Sequence, residues 1–108
     1  MRLVVLFFFV AGLAQAENWQ GWRGPNGDRT SPEKGIPVKW SGTENIAWRI
    51  AIPGEGHSSP IIWGDKVFLT SSLTEKNKRI LLCLDRPSGQ TVWQRDVVQS
   101  PPETIHRL

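Results

Sequence analysis

Two residues placed two apart could move protons or hold a ligand: Glu55 and His57, in the run Pro53-Gly54-Glu55-Gly56-His57. A carboxylate and an imidazole so close together can act as acid/base partners or as ligands. Neither has a catalytic partner in the sequence, and the plainer reading makes them loop residues in a Gly-rich connection. His106 sits in a Pro-rich stretch near the chain end, where a loop role is plainer still. Two isolated His and one Cys do not make a zinc site. Pro25-Asn26-Gly27-Asp28 lacks the spaced ligands and the terminal Glu of a calcium loop. Gly54-Glu55-Gly56 lacks the third glycine and the helix of a dinucleotide loop, and no Gly-x-Ser-x-Gly elbow is present.

The elements around these residues read as strands. Ile46, Trp48, Ile50 and Ile52 alternate with Ala47, Arg49 and Ala51, a period of two that predicts a strand with one apolar face. Pro53-Gly54 breaks it. Pro60–Trp63 and Lys66–Ser71 predict a hairpin joined by the two-residue turn Gly64-Asp65. A polar loop runs from Ser72 to Lys78. Arg79–Leu84 predicts a third strand, Asp85–Gly89 a turn, and Gln90–Val97 a fourth strand that carries Trp93. Helical periodicity is absent after residue 16.

Residues 1–16 read as a signal peptide. Arg2 precedes an apolar run from Leu3 to Leu13, and Ala14-Gln15-Ala16 has the small-x-small form of a cleavage site. The run is short of the about 20 residues of a stable span. The expected mature chain is therefore exported, periplasmic or extracellular, with no stable membrane span. No Cys follows the run, which argues against a lipid anchor. Removing sixteen residues from 108 leaves 92, near the lower limit for a self-sufficient core. The whole chain carries a net charge of +3 with its charges scattered, and Lys76, Lys78 and Arg79 are neighboured by Glu75. That footprint does not suit nucleic acid. Cys83, flanked by Leu81, Leu82 and Leu84, reads as a buried apolar residue, and a lone Cys makes no internal disulfide. Stability must come from packing, and six Trp, all beyond residue 16, suggest repeated docking positions. Residues 17–45 read as an irregular but ordered arm pinned by Trp19, Trp22 and Trp40.

Ile46-Ala47-Trp48-Arg49-Ile50 and Thr91-Val92-Trp93-Gln94-Arg95 place two tryptophans 45 residues apart, each after a small or β-branched residue. Four strands in such a period is the size of a propeller blade. Cys83-Leu84-Asp85-Arg86-Pro87-Ser88-Gly89-Gln90-Thr91-Val92-Trp93 resembles the tryptophan-docking motif Ala-x-Asp-x-x-Thr-Gly-x-x-x-Trp of pyrroloquinoline-quinone (PQQ) type β-propeller repeats. Asp85, Gly89 and Trp93 match, while Cys83 replaces Ala and Ser88 replaces Thr. Ser58–Phe68 resembles the inner hairpin of the same repeats, and Asn18–Trp48 their N-terminal lead-in. WD40 and kelch blades fit less well, since no Trp-Asp or Gly-Gly pair is present.

The resemblance implies an all-β fold of four-stranded antiparallel blades. One blade is expected over about 58–97 within a repeat region 46–108, with 98–108 starting the next connection and too few blades to close a ring. Asp85, Ser88 and Gly89 would shape a tight turn, Trp93 would lie against a neighbouring blade, and Trp48 would dock in a blade encoded after Leu108. Glu55 and His57 would lie at the mouth of the central channel. We expect a non-enzymatic scaffold that binds protein or saccharide, with no catalytic or metal residues in this chain. Some relatives of this kind assist outer-membrane protein assembly, although those are usually lipid-anchored. The alternative is a quinoprotein alcohol or sugar dehydrogenase, whose PQQ and Ca²⁺ would be held almost wholly by residues beyond Leu108.

Overall fold

A computed structural model describes residues 17–101. The signal-peptide reading of residues 1–16 and His106 lie outside the described residues. Four strands, β1 (Ile61–Trp63), β2 (Lys66–Leu73), β3 (Lys78–Asp85) and β4 (Thr91–Gln99), form one antiparallel sheet in the order β1-β2-β3-β4. Each follows the next through a short connection, as local pairing favours. Gly64 takes φ +57 in the two-residue link between Trp63 and Lys66, a conformation open to glycine without a β-carbon penalty. The loop expected over Ser72–Lys78 is narrower than the sequence suggests. Leu73 still pairs with Lys78, and only a 3-10 turn, Thr74–Lys76, and the left-handed Asn77 lie between.

Pairing across the sheet sorts its side chains into two faces. Ile62, Val67 and Leu84 share one face with Leu69, Leu82 and Ile80. Ile61, Phe68, Cys83 and Trp93 form a cross-strand row on the other, next to Thr70, Leu81 and Arg95. The first face is the core: Ile80, Leu82 and Leu84 are almost wholly buried and Val67 nearly so. Cys83 is also buried, as its apolar flanks suggested, and it is a free thiol. β4 is the exposed edge. It carries register shifts opposite Arg79/Ile80 and Cys83/Leu84, which disrupt the ladder as β-bulges do.

The strand expected over Ile46–Ile52 forms no ladder. Its alternation is kept nonetheless. Trp48, Ile50 and Ile52 pack on the core face of the sheet, while Ala47, Arg49 and Ala51 are exposed. The segment crosses the face and not the edge of the sheet, so its apolar side chains find partners and its backbone finds no strand to pair with. Apolar periodicity reports the first condition and is blind to the second.

The arm is tied at one place by backbone. Trp19 N–H donates to Ile62 O at 2.8 Å and Ile62 N–H to Trp19 O at 2.7 Å, so Trp19 extends the β1 edge. Asn18 Oδ1 accepts from Gly64 N–H at 2.6 Å. Trp19 therefore pins the arm, but Trp22 and Trp40 do not. They are 67% and 70% exposed, and Trp22 is flanked by the guanidinium of Arg29 at 4.9 Å. Among the described residues no helix is long and apolar enough to cross a membrane.

Candidate functional site

The sequence Asp85-Arg86-Pro87-Ser88-Gly89 builds a turn held from within. β3 delivers Asp85, whose Oδ2 accepts from Ser88 Oγ at 2.6 Å and from Ser88 N–H at 3.1 Å. Short polar side chains favour such turns because they satisfy nearby backbone donors. Gly89 N–H returns to Asp85 O at 2.7 Å, and Ser88 Oγ accepts from Gln90 N–H at 3.2 Å. The Ser88 hydrogen bonds, with lesser help from Lys66 at 3.7 Å, hold the Asp85 carboxyl below its ordinary range. Lys66 is in turn pushed up, chiefly by its bond to Asp65.

The turn receives an indole from a distant part of the chain. Trp48 Nε1–H donates to Arg86 O at 2.7 Å across 38 residues of sequence. Its ring covers Gly89 so closely that a β-carbon there would stand 2.5 Å from ring atoms, and Gly89 has φ +73. Glycine is thus required twice, for the backbone and for the approach of the ring. Arg86 fastens the turn to its surroundings: its backbone N–H donates to Asp65 O at 2.7 Å and its guanidinium to Gly64 O at 3.2 Å.

The docking partner of Trp48 is therefore the turn of this same chain, not a unit encoded after Leu108. The motif residues Asp85, Ser88 and Gly89 come together as expected. Trp93 does not join them. It lies on β4, half-buried, with its ring 6.1 Å from Phe68 at an interplanar angle of 51°. The sequence supplies no sign of the part played by Arg86, because an acceptor carbonyl is common to every residue type.

Glu55 and His57 lie at the other end of β3. Glu55 bridges to Ser72, which pairs with Arg79, while the turn begins at Asp85. That is six residues along the strand, roughly 20 Å at strand rise. Both side chains are exposed. They line, with Ser58, Thr70 and Arg79, an open cleft of about 140 Å³. Behind it, Ser71 Oγ–H donates to Pro53 O at 2.6 Å and ties the Pro53–Glu55 connection to β2. A neighbouring cleft of about 310 Å³ runs over Gly54, Leu73 and Lys76. Among the described residues no three His, Cys, Asp or Glu side chains are placed to hold a metal ion.

The turn grips an indole by one hydrogen bond and one glycine-to-ring contact. Comparison of the chain with protein-family models, with curated proteins and with solved structures finds no match.

Proposed function

We propose that the chain is a repeat unit of an exported β-propeller of the PQQ type, serving as a non-enzymatic scaffold for a protein or saccharide ligand. The observation that carries this reading is Trp48 on the Asp85–Gly89 turn, bonded to Arg86 O and stacked on Gly89. A tryptophan that leaves one strand layer to dock on the turn of the next is a device for stacking sheets. The four-stranded sheet is of blade size, and Trp93 follows Trp48 after one blade length. In this reading the unladdered segment Ile46–Ile52 is a strand of a further sheet stacked on the core face, and its backbone pairs there. The ring is completed by units outside residues 17–101. Export rests on the sequence of residues 1–16.

Ligands of such a ring would meet the ends of the strands, where Glu55 and His57 stand. A repeat motif serves every unit and so is structural, which leaves Asp85, Ser88, Gly89 and Trp93 without a catalytic role. The test is a titration of the full-length protein with PQQ and Ca²⁺, followed by dye-linked oxidation of alcohols and sugars. The scaffold reading expects neither saturable binding nor turnover. Saturable binding with turnover would replace it with a quinoprotein dehydrogenase.

A further inference from the structure

The arm meets the sheet at three consecutive residues. Trp19 pairs with Ile62, Asn18 Oδ1 accepts from Gly64 N–H, and Glu17 O faces the Arg86 guanidinium at 3.5 Å. Glu17, half-buried, is also tied into a ring within the arm. Its N–H donates to Glu33 Oε1 at 2.7 Å, Glu33 N–H donates to Ser31 Oγ at 3.2 Å, and Ser31 Oγ–H donates to Glu17 Oε2 at 3.0 Å. Two carboxylates thus stand in one small ring whose donors are backbone amides and a hydroxyl. The salt bridges among the described residues lie elsewhere, at Lys66 and Lys78. Glu17 N is, in addition, the atom that cleavage after Ala14-Gln15-Ala16 sets free.

We propose that the Glu33 carboxylate is the receptor for the α-ammonium of the processed chain, so that removal of the leader fastens the arm to the sheet. The proposal rests on the export reading of residues 1–16. Hydrolysis of the Ala16–Glu17 bond breaks its C–N link. The oxygen of water bonds to the Ala16 carbonyl carbon, which leaves as a carboxylate, and both protons of that water end on Glu17 N. A neutral amide with one hydrogen becomes an ammonium with three. One of them keeps the 2.7 Å bond to Glu33, now between opposite charges. Such charge-assisted bonds are roughly twice as strong as neutral ones. The ring gains a cation for its two carboxylates, and Glu17, Asn18 and Trp19 are held more firmly on β1 and on the Asp85–Gly89 turn. Glu33 is exposed, so the gain is modest and sensitive to salt.

The test uses the full chain, expressed with its leader in a bacterial host that secretes it, as wild type and as Glu33→Gln. Far-UV circular dichroism establishes that each product is folded, and mass spectrometry of the N-terminal peptide gives its first residue. A limiting dose of an amine reagent at about pH 6.5, below the ordinary α-amino pKa, then reads the unprotonated fraction of the α-amine. A synthetic peptide of residues 17–22 in the same tube is the reference. Both proteins are expected to start at Glu17, and the wild-type amine to react about threefold more slowly than that of Glu33→Gln. Glutamine keeps an acceptor at residue 33 and removes only its charge. The gap should close at about 1 M salt, where the screening length is about 3 Å. A start at another residue, or a first residue without a free amine, overturns the proposal together with the cleavage site on which it rests. A start at Glu17 with equal rates in the two proteins overturns the Glu33 receptor alone and leaves export standing. Where Glu33→Gln yields no folded protein, wild type alone is labelled over the same salt range. A rate that rises about threefold against the peptide supports the proposal, and a constant ratio overturns it. None of these outcomes bears on the scaffold reading, which has its own titration.

Discussion

Trp48 lies on Gly89 with no room for a β-carbon between them, although 41 residues of chain separate the two. The contact fixes the identity of residue 89 more firmly than the turn alone would. Gly89→Ala meets two costs. A left-handed φ on an L-residue costs about 1–2 kcal/mol, and crowding the ring costs a further 1–3 kcal/mol or so. Chemical denaturation should show a loss of about 2–5 kcal/mol in all, with the slope unchanged. A loss under about 0.5 kcal/mol would mean that the indole is not seated there.

Trp48→Ala should be the more damaging of the two tryptophan truncations within residues 17–101. Truncating a buried aromatic costs about 3–5 kcal/mol, and Trp48, half-buried but hydrogen-bonded, should fall near the lower end. Trp93→Ala should cost clearly less in the isolated chain, where its outer side has no cover. In a protein with further stacked units the order should narrow or reverse. Denaturation midpoints of both variants, in the short chain and in any longer form, measure this directly.

The core face predicts a conventional penalty. Ile80 and Leu82 are wholly enclosed, so Ile80→Ala and Leu82→Ala should each lose about 2–5 kcal/mol, enough to unfold a small sheet. Thr70→Ala, on an exposed position of β2, should change stability by less than about 0.5 kcal/mol. Thermal melts of the three variants side by side would expose an inverted assignment of the faces.

Cys83 offers a chemical probe of the opposite face. It is buried between Phe68 and Trp93 in one cross-strand row. In the native chain a thiol reagent should react with it only at the rate of opening, and immediately in denaturant. Trp93→Ala removes one wall and should speed the native reaction by roughly tenfold or more, about 1.4 kcal/mol of lost protection. An unchanged rate would mean that Trp93 does not shield the thiol.

Acid should loosen the turn. The Asp85 carboxyl lies below its ordinary value in the folded chain, mainly because Ser88 hydrogen-bonds to the ionised form. A group with a depressed folded pKa adds stability above its unfolded pKa, near 3.9, and that stability is lost as pH falls through the folded value. Asp85→Asn should therefore lower stability at neutral pH and flatten its dependence on pH below about 4. Parallel pH profiles that differ only by an offset would assign the acid response to other carboxylates.

Much of this architecture was legible because alternation and turn chemistry are local. β1–β4 fall within two or three residues of where apolar periodicity and the Gly64-Asp65 and Asp85–Gly89 punctuation put them. The Asp85–Ser88–Gly89 turn follows from side chains that act on their own neighbours. What the sequence hid is long-range. Ile46–Ile52 has the alternation of a strand because one side of it meets a core, yet a ladder also needs a free edge in register. Trp22 and Trp40 are as apolar as Trp19, and only Trp19 has a strand edge beside it. Glu55 and His57 are close in sequence to the sheet but lie at the far end of β3 from the docking turn.

The sheet is assembled from neighbours, each strand closing on the one before it through a short link. The arm is not. Trp19 waits for Ile62, and Trp48 waits for Arg86 and Gly89, which the ribosome adds last of these. Such non-local contacts form late, after the hairpins that create their targets. The indole-rich leading half of the chain is thus made first and housed last. For that interval Trp19, Trp22, Trp40 and Trp48 all face water together, and whatever else is sticky nearby.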